Sequence, residues 1–345
     1  MASAEKFKPY SLRKGLADMT ELTIVSAINQ GLRRAMASDP QVLLMGEDIG
    51  KLGGVFRATE GLQREFGEER VIDSPLAESG IVGTAIGLAL YGYRPVVEIQ
   101  FDGFVYPAFD QIIVQLARMR YRSAGALQLP ITIRMPFGGG IGSVEHHGES
   151  PEAYFASTPG LRVVACADPN DAYWMIQQAV ASDDPVIFLE PKRRYYQKGE
   201  VDLAADLSSA PPLYKARVLS AGSDCTLISY GPTVATALQA ARLAAEDGVK
   251  LEVIDLRSLS PLDMVTLITS VNKTGRAVVV HEASSSGGVG GEIGQSLMQA
   301  CFYNLKAPVL RVTGYDTPYP PSRIEDSYLP DAERILDAVE KSMSY

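Results

Sequence analysis

The chain is poor in the residues that build metal knuckles, disulfide frames and basic surfaces. Three of its 345 residues are cysteine, and Cys166, Cys225 and Cys301 lie far apart, each in an apolar run. They read as buried thiols of a reducing compartment, which argues against a disulfide scaffold and a cysteine-based zinc site. Histidine is as scarce, also three, with two adjacent as His146-His147. Adjacent side chains rarely face one metal ion, and no acid or cysteine cluster has ligand spacing beside them, so a zinc centre does not fit. Basic residues are outnumbered: the net charge is −9, and no basic run exceeds Lys192-Arg193-Arg194, which argues against a nucleic-acid partner. Residues 1–15 carry no apolar segment of the secretory kind, so the expected location is cytoplasmic, with no membrane partner.

Nucleotide motifs are missing as well. The loop Gly287-Gly288-Val289-Gly290-Gly291-Glu292-Ile293-Gly294 puts Ile293 where the dinucleotide fingerprint needs its third glycine. No Gly-Lys-Ser/Thr follows any glycine-rich loop, which excludes a P-loop. The 287–294 loop therefore reads as a turn into a helix.

What is present is an alternation of strands and helices. At this length two domains with real cores are expected. We expect an N-terminal arm over residues 1–19 and then a helix over 21–38 capped by Thr20, with Leu22, Val25, Ile28, Leu32 and Met36 at helical spacing. Strands follow at 42–45, 71–72, 95–101, 131–135, 162–167 and 185–190. Helices are expected at 57–66, 78–91, 107–122 and 170–181. The Asp/Ser/Ala/Pro-rich segment 201–213 reads as a linker between a domain at 20–200 and one at 214–345. In the second domain strands are expected at 225–230, 251–256, 277–282 and 308–313, with helices at 234–246, 264–272, 292–304 and from 331. The fold class is α/β, two domains with largely parallel sheets.

The stretch from Val71 to Gln111 organises the rest. Glu78 is followed by thirteen uncharged residues, Ser79 to Tyr91, rich in Gly, Ala, Ile, Val and Leu. A helix so apolar on every side is buried or spans a membrane, and this one is too short to span. Glu78 would then stand at the first turn of a buried helix, where burial and the helix dipole act on a carboxylate in opposite senses. The residues alone leave two readings open, a first-turn acid placed for the dipole and an acid placed for chemistry. Gln100 and Phe104 follow an apolar strand, where open α/β sheets place ligand contacts, though each also reads as a loop cap or core filler. His146-His147 behind the loop 138–142 is divided evenly between a surface and an active-site histidine. His281, at the end of a strand, reads as structural. Glu47 and Asp48, after the strand at 42–45, are left unassigned.

The order strand, Ser74-Pro75-Leu76-Ala77-Glu78-Ser79-Gly80, apolar helix, Glu98-Ile99-Gln100-Phe101, then Gly103-Phe104-Val105-Tyr106-Pro107-Ala108-Phe109-Asp110-Gln111 resembles the beta subunit of the thiamine-diphosphate-dependent 2-oxo acid dehydrogenases, of the transketolase-like group. The series 252–257, Pro261-Leu262-Asp263, 273–276 and His281-Glu282 resembles that family's C-terminal domain, so the likeness covers nearly all the chain from Thr20 onward. It implies a pyrimidine-binding domain followed by a transketolase C-terminal domain. Glu78 would be the acid that activates the cofactor's aminopyrimidine, with Leu76 and Phe104 against that ring and Gln100 beside it. Some members carry Tyr at the Phe104 position, so a hydroxyl contact there is lost. His147, not His146, falls where the family carries an active-site histidine. Gly-Asp-Gly, which holds the diphosphate through Mg2+, occurs nowhere in the sequence. The resemblance therefore assigns Mg2+ and the charged half of the cofactor to an alpha subunit, in a heterotetramer of two alpha and two beta chains docked on a lipoyl acyltransferase core.

The stretches 188–192 and 314–320 are more similar to branched-chain 2-oxo acid enzymes than to pyruvate enzymes, and both are taken to lie away from the reaction centre. The implied role is branched-chain amino acid catabolism within a multienzyme complex, with pyruvate dehydrogenase or a non-catalytic assembly subunit as alternatives. Branched-chain members also hold K+ on backbone carbonyls, at positions matching Leu129, Ile131, Ala179, Ser182 and Asp184.

Overall fold

The computed structural model describes residues 19–345. The expected arm lies outside these residues except for Met19, which opens a strand. Met19–Thr23 pairs antiparallel with Lys198–Asp202, so the first helix does not begin at Thr20. It runs over Ile24–Ser38, and its cap is Thr23, whose Oγ accepts from the Ser26 amide at 3.2 Å. Leu22, grouped by its spacing with the helix, packs from the strand against the same core.

Seven strands form the first sheet, in the order Ser258–Ser260, Arg162–Ala165, Val186–Pro191, Thr132–Phe137, Arg94–Glu98, Val42–Gly46 and Val71–Asp73. All pair in parallel except Ser258–Ser260, an antiparallel edge strand from the second half of the chain. The second sheet has five strands, ordered Leu310–Gly314, Ala277–Ser284, Cys225–Ser229, Leu251–Asp255 and Arg217–Ser220, with only the last antiparallel. The two-domain α/β architecture is as expected. The four strands absent from the expected set are short and mostly polar; Lys198–Asp202 fully buries only Val201, so they carry no hydrophobic pattern to read.

Helix placement follows local chemistry. Asp168 caps Pro169–Val180 by accepting from the Asp171 amide at 2.7 Å, with proline in the first turn where its missing N–H costs nothing. This helix lies against Ile24–Ser38 so closely that a Cβ on Gly31 would come within 2.8 Å of the Tyr173 carbonyl oxygen. Met264–Thr274 is capped by Asp263 and ended by Gly275 at φ 72°.

Three further expectations are corrected. Only Leu62–Phe66 of the helix expected at 57–66 forms, because Arg57 (φ 65°) and Gly61 (φ 79°) take left-handed backbone conformations. The helix expected at 107–122 is a 3-10 turn over Asp102–Ala108, a wide π turn over Asp110–Leu116 and a regular helix only over Ala117–Arg122. The third concerns Glu78–Leu90, which is not buried on every side: Ile81, Val82, Ala85, Ile86 and Ala89 enter the core, while Gly80, Thr84, Gly87 and Leu90 face outward. Tyr91 and Leu90 on that outer side are 84% and 48% exposed. An apolar face left open in one chain marks an interaction surface.

Candidate active site

The chain runs from the inner strand Val42–Gly46 to Val71–Asp73 on one side and then to Arg94–Glu98 on the other. At such a reversal the loops after the strands diverge and leave a crevice beyond their carboxyl ends, where open α/β sheets bind ligands. Glu47 follows the first of these strands, Glu78 the second, and Gln100 and Phe104 the third.

Glu78 opens its helix without a side-chain cap ahead of it, and is 9% exposed. Glu47, unassigned from the sequence, is buried beside it, and its Oε1 has no hydrogen-bond partner among the described residues. Burial pushes the Glu47 carboxyl up, and the charges of Glu78 and then Asp48 push the same way. The crevice thus holds two carboxyls where sequence reasoning saw one. The available signal was Glu47's place directly after a strand. Leu76 is 80% exposed and Gln100 half-buried, so neither is taken up by the core.

His147 is brought onto the aromatic turn. Its ring lies 4.6 Å from that of Phe101 and 5.1 Å from that of Phe104, edge to face in both cases, and Phe101 and Phe104 meet at 5.5 Å. Phe101, not singled out in the sequence, is the centre of this cluster and also meets Phe56 at 5.4 Å. The Gly103 amide donates to the His146 carbonyl at 3.2 Å, tying the histidine loop to the turn by its backbone. The His146 side chain is 59% exposed, so the loop sends one histidine inward and the other out.

Beneath the rings is a buried ionic layer. Arg134 donates to Glu98 at 2.6 Å and to both oxygens of Glu190 at 2.7 and 3.0 Å, and Tyr195 donates to Glu190 at 2.6 Å. Burial pushes Glu98 up and Arg134 opposes it; burial would lower Arg134, but its two carboxylates keep it raised. These bonds join three neighbouring strands below the crevice, and removing one partner would strand a charge at a cost of about 3–5 kcal/mol. Next to it Lys192 pairs with Asp102 at 2.9 and 3.0 Å, both side chains fully buried. Burial raises Asp102 to about 7 despite the pull of Lys192.

Lys192 also lies 5.6 Å from the centre of the Phe101 ring, and the Tyr319 hydroxyl accepts from the Gly140 amide at 2.9 Å. The stretches 188–192 and 314–320 therefore border the candidate site, against the expectation that they lie away from it. Sequence separation hid this, because the second domain delivers Tyr319 to a loop of the first.

His281 behaves as a core histidine. It is fully buried, its Nδ1 lies 3.1 Å from the Ala283 carbonyl, and it stacks on Tyr230 at 6.1 Å; burial lowers it to about 4. Leu129, Ile131, Ala179, Ser182 and Asp184 gather around the 181–185 turn; each carbonyl already accepts a hydrogen bond, and that of Ala179 accepts from both the Ala181 and Ser182 amides. The Ser182 carbonyl accepts from the Arg94 guanidinium at 3.1 Å, and the Asp184 carboxylate is held by Arg120 and Arg162. A second lone pair remains on the carbonyls of Leu129, Ile131, Ser182 and Asp184 for a cation. Among the described residues no three or more His, Cys, Asp and Glu side chains are grouped to hold a metal.

Comparison with known proteins decides the family. Residues 20–198 match the model of the transketolase pyrimidine-binding domain, and residues 214–335 that of the transketolase C-terminal domain. The chain is 58% identical over 324 residues to a pyruvate dehydrogenase E1 component subunit beta of Leifsonia xyli subsp. xyli, covering 94% of this chain and 95% of that one. It belongs to the E1 beta subunits of the 2-oxo acid dehydrogenases.

Within that family, a 3-methyl-2-oxobutanoate dehydrogenase subunit beta of Mycobacterium tuberculosis is 50% identical over 333 residues, covering 96% of this chain and 95% of its own. A solved structure described as a split gene transketolase, an inactive beta4 tetramer, shares the fold at a TM-score of 0.74 and 22% identity, over 94% of this chain and 98% of its own. E1 beta membership implies dependence on thiamine diphosphate, an alpha-subunit partner and a place in a multienzyme complex. The residues here suit the cofactor's pyrimidine half: a buried carboxyl, an unburied Leu76 and a half-buried aromatic ring at one strand-end crevice.

Proposed function

We propose that this E1 beta subunit, joined to an alpha subunit, carries out the oxidative decarboxylation of branched-chain 2-oxo acids and the reductive acylation of lipoyl groups on an acyltransferase core. The observation that carries the reading is His147 against Phe104, on one side of the crevice that Glu78 enters from the other, across the strand Val42–Gly46. Thiamine diphosphate, when bound, supplies the nucleophilic carbon and the electron sink for loss of the carboxylate. Glu78 holds or releases a proton toward a ring nitrogen at its carboxyl oxygens, a role suited to an acid mostly out of water. Phe104 and Leu76 give a flat ring apolar surfaces to lie on, and Gln100 offers an amide beside them. His147, held edge-on by two rings, presents an imidazole to the 2-oxo acid or the incoming lipoyl group. Mg2+ and the diphosphate are assigned to the alpha subunit because Gly-Asp-Gly is missing here. K+ is assigned to the carbonyls of Leu129, Ile131, Ala179, Ser182 and Asp184.

The exposed face of the Glu78 helix supports assembly with a partner, in a heterotetramer of two alpha and two beta chains. Glu78, Gln100 and His147 all being present favours a catalytic subunit over a mere assembly chain. Three free, buried cysteines suit a cytoplasmic location. Pyruvate is the second reading for the substrate, supported by the relative at 58% identity. The test is co-expression with an alpha-type chain and assay of CO2 release from 3-methyl-2-oxobutanoate and from pyruvate. A higher kcat/KM for pyruvate selects the second reading, and release from neither rejects both.

A further inference from the structure

The loop after the strand Thr132–Phe137 has the backbone of an anion nest. Gly138, Gly140 and Gly142 take φ of 78°, 83° and 73°, alternating with ordinary residues, so the amides of the loop line a concave surface. Such nests commonly cradle phosphate. In this chain the nest is filled by carboxylates of its own second domain. Glu325 Oε1 accepts from the Gly140 amide at 2.8 Å and Glu325 Oε2 from the Gly142 amide at 3.0 Å. The Tyr319 hydroxyl accepts from Gly140 and donates to Glu325, while Glu282 Oε2 accepts from the Gly139 amide at 2.9 Å. Glu325 and Tyr319 are 7% and 8% exposed.

The clamp has a direction. Downstream of the nest the chain runs through Ser143 to His147, and Gly148 packs against the Tyr319 ring so closely that a Cβ would come within 2.5 Å of it. The second domain thus grips the histidine segment before and after His147. The segment itself makes few bonds: the His147 amide donates to the Val144 carbonyl at 3.2 Å, and the imidazole, apart from its packing on Phe101 and Phe104, has one polar contact of 3.3 Å, from Nδ1 to the Glu145 carbonyl. Its ring position depends on where the loop's two ends are held.

We propose that Glu325, with Tyr319, is a positioning residue for His147, fixing the imidazole against Phe101 and Phe104 from the other domain. The inference rests on the reading that His147 acts in the reaction. Charge-assisted bonds from a carboxylate to backbone amides are the stronger class, so two of them on one loop suffice to hold it. Catalysis is sensitive to such placement, since a displacement of about 1 Å costs on the order of a hundredfold in rate.

The experiment is a double-mutant cycle on the complex reconstituted with an alpha-type chain, joined to hydrogen exchange of peptides covering 138–148 in the full chain. Glu325→Gln is nearly isosteric but turns a donor amide toward one of the two amides it must accept from. Tyr319→Phe removes only the hydroxyl and serves if Glu325→Gln misfolds. The expected result is faster exchange in 138–148 with the rest of the chain unchanged. We also expect kcat to fall about ten- to a hundredfold with KM held within about twofold, and no further fall when Glu325→Gln is added to His147→Ala. Equal losses of kcat in the native and His147→Ala backgrounds overturn the proposal, because the clamp would then act on something other than His147. Unchanged exchange in 138–148 overturns it also. If His147→Ala alone leaves kcat intact, the role of His147 falls with it, while the exchange data still report whether the clamp holds the loop.

Discussion

The imidazole of His147 meets the ring of Phe104 with centroids 5.1 Å apart and planes at 76°, although the two belong to loops after different strands. Phe104 sits in the turn after Arg94–Glu98, and His147 ends the loop after the adjacent Thr132–Phe137. Adjacent parallel strands bring their carboxyl-end loops to one edge, and the Gly103 amide bonded to the His146 carbonyl locks them there.

That contact separates the two neighbouring histidines. His147→Ala is expected to lower kcat of the lipoyl-dependent reaction on the order of a hundredfold, the usual loss for an acid–base group. His146→Ala, on a largely exposed side chain, should change it less than about twofold. Equal and mild effects from both would return His147 to a structural role.

Glu78→Gln keeps size and hydrogen-bonding capacity but cannot exchange a proton. Turnover is expected to fall about a hundred- to ten-thousandfold. Unfolding and cofactor affinity should move little, because the change is nearly isosteric at a buried site and the diphosphate grip is assigned to the partner. Calorimetry of cofactor binding and single-turnover kinetics check the two halves. Native turnover in the variant means that Glu78 is only a helix-start acid.

The outer face of the Glu78 helix gives a test of assembly. Thr84 is exposed in the single chain and stands among Gly80, Gly87 and Leu90. Thr84→Arg should leave the isolated fold intact yet weaken association with the alpha-type chain by more than about tenfold, or about 1.4 kcal/mol. Analytical ultracentrifugation of the mixed chains reads this out; undiminished assembly places the interface elsewhere.

A pH effect is expected at the domain junction. Tyr230 of the second sheet's side donates to Glu152 at 2.6 Å, and burial raises the Glu152 carboxyl to about 7 from its ordinary value of 4.5. The folded state therefore binds this proton more tightly than the unfolded state. The resulting stabilisation is complete below about 4.5 and is lost as pH rises through about 7. Glu152→Gln cannot lose that proton, so its stability should gain on the native chain by about 3 kcal/mol between pH 4.5 and pH 8. Denaturant melts at the two pH values measure the difference, and a constant gap shows that Glu152 does not titrate in this range.

If K+ binds the carbonyls around the 181–185 turn, it stabilises the fold by mass action. Exchanging Na+ for K+ at constant ionic strength should raise Tm, by the equivalent of about 1.4 kcal/mol when K+ is near ten times its Kd. An unchanged Tm removes the site.

The sequence by itself settled the local and strongly patterned features. Apolar runs bounded by turn residues marked the buried strands, as at Cys225–Ser229, and the helix Val234–Glu246 falls where its spacing put it. The Ser74–Gln111 order carried the family, because those residues are contiguous. Glu78 was legible for the same reason, as one acid ahead of an uncharged helix. Tertiary structure alone decided the rest. Short edge strands such as Lys198–Asp202 exist because a partner strand supplies hydrogen bonds, which leave no trace in the side-chain pattern. Glu47 beside Glu78, Phe101 beneath His147 and Glu325 in the glycine nest join residues from separate loops and separate domains. The physical reason is that a parallel sheet gathers its loops at one end whatever their distance in sequence, and buried charges there pair only with what the fold delivers.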